Sequence, residues 1–69
     1  MALSARNHLQ GNVIDVKVGD VMAHVTVRVG RNIVESVITS QSAEELDLKK
    51  GDAVTAVVKA TEVMISKSE

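Results

Sequence analysis

Apolar and polar residues alternate along most of this chain, a pattern typical of β-strands with one buried face. In VIDVKV (13–18), every second residue from Ile14 onward is apolar, which puts Val13 on the opposite face. VMAHVTVRV (21–29) alternates small apolar residues with Met, His, Thr and Arg, and IVESVIT occupies 33–39. Gly-Asp and Gly-Arg-Asn stand between these stretches, and both are turn sequences. The pattern predicts three strands connected by short turns.

The alternation stops at TSQSAEELDL (39–48), where hydroxyl residues precede helix-forming residues. This composition predicts a short helix. Ser42 and Glu45 fit the S-x-x-E capping box, in which each side chain bonds to the backbone of the other residue. Thr39 and Ser40 are alternative N-caps, so the pattern leaves the first residue of the helix open.

Two further strands are predicted after the helix. AVTAVVK (53–59) alternates again, EVMIS (62–66) is a short fifth strand, and Ala60-Thr61 between them is a kink or a bulge. Five strands with one short helix between the third and the fourth is the element order of the OB-fold, a partly open barrel. We therefore predict an all-β, OB-like five-stranded barrel with one short helix, in a single domain covering 1–69.

The composition adds an expectation of self-association. A 69-residue chain buries a modest share of its surface, and small domains usually need disulfides, a metal or oligomerisation for stability. The sequence has no cysteine, which excludes disulfides and a thiolate metal site, and its two histidines are too few for a histidine-rich site within one chain. It has no aromatic residue either, so its core must consist of small aliphatic side chains. Oligomerisation is the stabilising device that remains.

Charge and motifs argue against several functional classes. The net charge of −1 and the absence of aromatic stacking residues disfavour nucleic-acid binding. The sequence has neither a signal-peptide pattern nor an apolar run long enough to span a bilayer, so we expect a cytoplasmic protein without a membrane partner. No nucleophile elbow or H-E-x-x-H motif is present. We expect no catalytic residues and no cofactor.

Hydrogen-bond donors concentrate in three stretches at the ends of predicted elements. These are Ser4, Arg6 and Asn7 near the N-terminus, Thr39 to Ser42 at the helix start, and Lys59 to Thr61 where the fourth strand ends. Many donors with little net positive charge are what a small tetrahedral oxyanion requires. Hydroxyl residues at a helix start are also ordinary caps, so each stretch alone is weak evidence.

Three motifs carry a resemblance to a known family. SARNHLQGNV, VITSQSAEELDLKKGDAV and VVKATEVMI look like the corresponding segments of the molbindins, the Mop family of small molybdate-binding proteins. The resemblance runs from Ser4 to about Ile65, and the motifs are specific in combination. It implies an OB-like fold and a homo-oligomer, a hexamer built as a trimer of dimers. It also implies storage of molybdate or tungstate in the cytoplasm, at sites between subunits.

The resemblance also implies a set of ligand-binding residues. One subunit would contribute Ser4, Arg6, Asn7, Lys59, Ala60 through its backbone, and Thr61. The neighbouring subunit would contribute Thr39 and Ser42. No side chain would coordinate the metal atom directly. Two alternatives stay open at this stage: a nucleic-acid-binding OB-fold module, and a purely structural oligomerisation domain.

Overall fold

The computed structural model describes residues 6–68, so Ser4 lies outside the described residues. In chain order, its elements are β1 (Arg6–Val18), β2 (Met22–Val29), β3 (Asn32–Thr39), the helix α1 (Ser40–Glu45), β4 (Ala53–Lys59) and a 3-10 turn (Ala60–Glu62). The strands form an antiparallel sheet in the order β3-β2-β1-β4. The all-β class, the short helix after the third strand and the bounds of the fourth strand are confirmed.

The core lies on the inner face of β2, as the alternation of this strand predicts. Ala23, Val25 and Val27 are buried, while the residues between them face the other side of the sheet. Half-buried aliphatic residues from every strand and from the loop after α1 pack against this core: Val16, Val29, Ile38, Leu48 and Val54. These side chains are all small, because the chain has no aromatic residue with which to fill a larger space.

A β-bulge in β1 overturns the predicted face of Val13. Val13 pairs with Val27, but the next paired residue on β1 is Asp15, so the register shifts at Ile14. The extra residue reverses the alternation. Val13, 1% exposed, therefore shares the inner face with Val16 instead of lying opposite it.

The first strand also begins earlier than the sequence predicts. β1 pairs with β4 from Arg6 to Asn12, within a segment where polar residues dominate. Gly11 lies close to the backbone of β2, and a Cβ at this position would overlap the carbonyl oxygen of Arg28. Glycine permits this close approach because it has no side chain.

The helix start is resolved in favour of Thr39. Thr39 is extended, with φ −69° and ψ 148°, and its side chain accepts a hydrogen bond from the backbone N–H of Ser42. The predicted box of Ser42 and Glu45 is wrong, because both residues lie inside α1. Ser40, the third alternative, is the first helical residue, and its hydroxyl bonds to the turn between β1 and β2 instead of capping the helix.

The five-stranded barrel is not confirmed. Within residues 6–68 the sheet has four strands and is open, with β3 and β4 at its edges. The 3-10 turn replaces the predicted kink or bulge, and the segment 63–68 after it has no regular secondary structure. Met64 and Ile65 are 93% and 89% exposed, so the segment does not pack on the sheet of its own chain.

Candidate ligand-binding site

Antiparallel pairing brings the N-terminal and C-terminal candidate residues together. Arg6 is paired directly with Lys59, and Asn7 with Val58. The Asn7 side-chain amide donates to the carbonyl oxygen of Val58 over 3.4 Å. Thr61 follows in the exposed 3-10 turn, next to Ala60. We call Arg6, Asn7, Lys59, Ala60 and Thr61 the strand-end group.

The strand-end group carries two positive charges that face each other. Directly paired residues of antiparallel strands point to the same face, so the side chains of Arg6 and Lys59 are neighbours. Like charges in this arrangement are destabilising. Within residues 6–68, neither cation forms an ion pair, since the carboxylates in ion pairs are Glu35, bonded to a histidine on β2, and Asp47, bonded to a lysine in the loop after α1. The arrangement favours an external anion.

A second set of candidates lies at the start of α1. The Thr39 hydroxyl oxygen accepts the Ser42 N–H at 3.0 Å, and the Thr39 hydroxyl donates to Ser42 Oγ at 2.8 Å. Both residues are exposed. We call these two residues the helix-start group. One of their two hydroxyl hydrogens is used in the bond between them, so the group offers one hydroxyl hydrogen to a ligand.

Ser40 is a residue whose importance sequence reasoning missed. It is 7% exposed and its hydroxyl donates to the carbonyl oxygen of Gly19 over 2.7 Å. Its backbone N–H donates to the carbonyl oxygen of Val21 over 2.8 Å. The sequence signalled Ser40 only as an alternative cap, because its partners lie in the turn between β1 and β2.

One chain does not bring the two groups together. Arg6 is the first residue of the 13-residue strand β1. The other end of β1 pairs with the start of β2, where Met22 faces Thr39. The strand-end group and the helix-start group therefore lie near opposite ends of β1.

Two further features, a metal-binding cluster and a membrane-spanning helix, are absent from the described residues. Between Arg6 and Ser68, no cluster of three His, Asp or Glu side chains is arranged to hold a metal ion. In the same part of the chain, no helix has the length and apolar character needed to cross a membrane.

Comparisons with known proteins identify the family. The sequence model of the TOBE domain matches residues 3–65. Molybdenum-pterin-binding protein 2 of Clostridium pasteurianum is 48% identical over 66 residues, which cover 94% of this chain and 97% of that protein. A molybdate-binding protein from Sporomusa ovata has a similar structure, with a TM-score of 0.88 and 40% identity, over 97% of this chain and 100% of that one.

A second solved structure agrees with the first. MopII from Clostridium pasteurianum superposes with a TM-score of 0.87 at 46% identity, over 96% of this chain and 100% of that one. Both the sequence model and the structural neighbours cover nearly the whole chain, as the three motifs led us to expect. The chain therefore belongs to the TOBE-domain family and, within it, to the molbindin (Mop) proteins.

Proposed function

We propose that this protein binds molybdate, or tungstate as the analogous oxyanion, and stores it in the cytoplasm without catalysing a reaction. The observation that carries the proposal is the pair Arg6 and Lys59, two cations in direct register on β1 and β4. A tetrahedral dianion between them would replace repulsion with charge-assisted hydrogen bonds, which are the stronger kind. The Thr61 hydroxyl and the Ala60 backbone N–H add neutral donors beside them.

The relatives are named for different ligands, and the residue composition of this chain favours binding of the free oxyanion. The protein from Sporomusa ovata is named for molybdate, whereas the relative from Clostridium pasteurianum is named for molybdenum-pterin. A pterin is a flat aromatic ring system, and proteins commonly hold such rings by stacking them on aromatic side chains. This chain has no Phe, Trp or Tyr. A small anion needs donors and charge alone, and the strand-end group supplies both.

The proposed site is shared between two subunits. The strand-end group of one chain would form one half, with Ser4 as a further donor, and the helix-start group of a neighbour the other. The separation of the two groups along β1 supports this arrangement, because the helix-start group of the same chain lies at the other end of that strand.

Self-association follows from the open sheet. A groove between the edge strands β3 and β4 is lined by aliphatic side chains, among them Val34, Ile38, Val54 and Val58. Such an apolar surface needs a partner. We propose that a second copy covers the groove, and that its segment 62–66 pairs there as the missing fifth strand of the barrel. The exposure of Ile65 in one chain supports this role. Three such dimers would form the hexamer.

Equilibrium dialysis with metal analysis tests the function. Molybdate should be retained by the protein, and an equal concentration of sulfate should not displace it. A pterin-bound molybdenum compound should be retained no better than free molybdate. Binding of molybdate that sulfate abolishes, or no binding at all, would contradict the proposal. Retention of the pterin compound alone would show that the ligand is molybdenum-pterin.

A further inference from the structure

Ser40 connects the start of α1 to the turn between β1 and β2, where Gly19 lies 21 residues earlier in the chain. β3 ends at Thr39 and α1 begins at Ser40, so the chain changes from extended to helical conformation between them. The Ser40 hydroxyl donates to the Gly19 carbonyl at 2.7 Å, and the Ser40 N–H donates to the Val21 carbonyl at 2.8 Å. Both of its donors are therefore committed to the β1–β2 turn.

The turn is a rigid anchor for these two bonds. The Gly19 N–H donates to the carbonyl oxygen of Met22 over 2.8 Å and closes the turn. A Cβ on Gly19 would approach the same oxygen to 2.9 Å, so the backbone is tightly folded here. Met22 also pairs directly with Thr39 in the sheet. Pairing of β3 with β2 therefore holds Thr39, the last residue of β3, in place. The hydrogen bonds of Ser40 hold the first residue of α1.

We infer that Ser40 is a positioning residue for the oxyanion site, an inference that rests on the proposed function. The helix has six residues, which is too short to keep a fixed orientation by itself. Without the Ser40 hydroxyl, one of the two anchors is lost and the Gly19 carbonyl loses this donor. The first turn of α1 can then tilt, and the Ser42 hydroxyl moves away from the ligand. Ser40 itself is buried and does not contact the anion.

The test compares Ser40→Ala with a variant of similar stability. Ser40→Ala should raise the molybdate Kd about threefold to fivefold in equilibrium dialysis, and Ser40→Thr, which keeps the hydroxyl, should restore most of the affinity. Val27→Ala is the control, because Val27 is buried in the core and far from α1 in the chain. It should lower the melting temperature at least as much while leaving the Kd unchanged. If Ser40→Ala does not fold, Ser40→Cys replaces the hydroxyl with a larger and weaker donor and should show the same direction.

A second readout does not depend on the ligand. Amide hydrogen exchange at Ser42, whose N–H is bonded to Thr39, should be faster in Ser40→Ala than in Val27→Ala after correction for global stability. Equal Kd values for the wild type and Ser40→Ala would overturn the inference while the proposed function stands. A wild type that binds no molybdate overturns the proposed function and the inference with it. Affinity loss of the same size in Val27→Ala would reduce Ser40 to a structural role.

Discussion

The strand-end group and the helix-start group are built in opposite ways. The first puts two positive charges face to face, and backbone pairing of β1 with β4 holds them there. The second has no charge, and its hydroxyls are fixed by a 2.8 Å bond from Thr39 to Ser42 Oγ and by a 3.0 Å bond from the Ser42 backbone N–H to the Thr39 hydroxyl oxygen. Charge and geometry are therefore supplied by separate elements of the fold. We expect the charged group to govern the affinity for a dianion, and the neutral group to govern which dianion fits.

The helix-start group matters for distinguishing anions of different size. Sulfate and molybdate carry the same charge, so a pair of cations alone distinguishes them poorly. Hydroxyl donors held at fixed positions for the larger tetrahedron cannot also reach the oxygens of sulfate. Each buried hydrogen bond left unmade costs about 1–3 kcal/mol.

The largest effect should come from dissociating the subunits, because this would separate the two groups of each shared site. Ile65 is 89% exposed in one chain, so Ile65→Asp should cost the isolated subunit little. If a second copy buries this side chain, the variant should dissociate in analytical ultracentrifugation and lose molybdate binding at the same time. Ser68→Asp, three residues further along and outside the segment 62–66, is the matched control and should remain assembled. An assembled, fully active Ile65→Asp would remove this segment from the interface.

The ligand should hold the two groups together if it binds between chains. A ligand specific for the assembled state stabilises it by about 2.7 kcal/mol per site at a hundredfold excess over Kd. Molybdate should therefore raise the melting temperature and oppose dissociation on dilution, and sulfate should do much less. This coupling should be weaker by about 1 kcal/mol per site in the double variant Thr39→Ala, Ser42→Ala, which must still assemble without ligand. Tight binding that changes neither melting nor assembly would place each site within one subunit.

The elements that the sequence predicts well are those with an unbroken alternation. β2 and β4 follow their patterns because each has one inner face of small apolar residues. The first strand does not, because the bulge at Ile14 reverses the alternation and Gly11 has no side chain to mark the inner face. The fifth strand failed for another reason: the segment 62–66 has a strand pattern, but a strand also needs a neighbour with which to pair.

The candidate site shows the same limits. Direct pairing of Arg6 with Lys59 was not visible in the sequence, since it depends on the register between two distant strands. Nor was the role of Ser40, whose carbonyl partner on Gly19 is 21 residues away. The motifs identified which residues to compare, whereas the distances between them required the fold.

Removing one charge from the strand-end group should affect binding and stability in opposite directions. Arg6→Ala and Lys59→Ala should each weaken molybdate binding about tenfold or more, because each removes a charge-assisted hydrogen bond of roughly 1.5–3 kcal/mol. Without ligand, each should leave stability unchanged or raise it by up to about 1 kcal/mol, since repulsion across the strand pair is relieved. Dialysis and thermal unfolding measure the two effects.

Two exposed cations outside the group serve as controls for this pair of variants. Arg31→Ala removes one positive charge from the turn before β3, and Lys50→Ala removes one from the turn after α1. Both should leave the Kd within about twofold of the wild type. Equal losses in all four variants would show that the overall charge of the protein attracts the anion. Unchanged binding in Arg6→Ala and Lys59→Ala would show that the strand-end group is not the site.

The smallest effect is expected within the helix-start group, where the two single variants should not be additive. Ser42→Ala removes the hydroxyl that faces the ligand in the proposed site, and Thr39→Ala removes the acceptor that holds the Ser42 N–H and the donor that orients its Oγ. Because the pair offers one hydroxyl hydrogen, either change should cost about 1 kcal/mol of binding, and the double variant little more than the worse of the two. Thr39→Ala alone should also lower stability by about 1 kcal/mol, since it removes the N-cap. Thr39→Ser, which keeps the hydroxyl, should restore both. Dialysis on the full cycle measures the coupling, and strictly additive losses would mean that each hydroxyl donates to the anion separately.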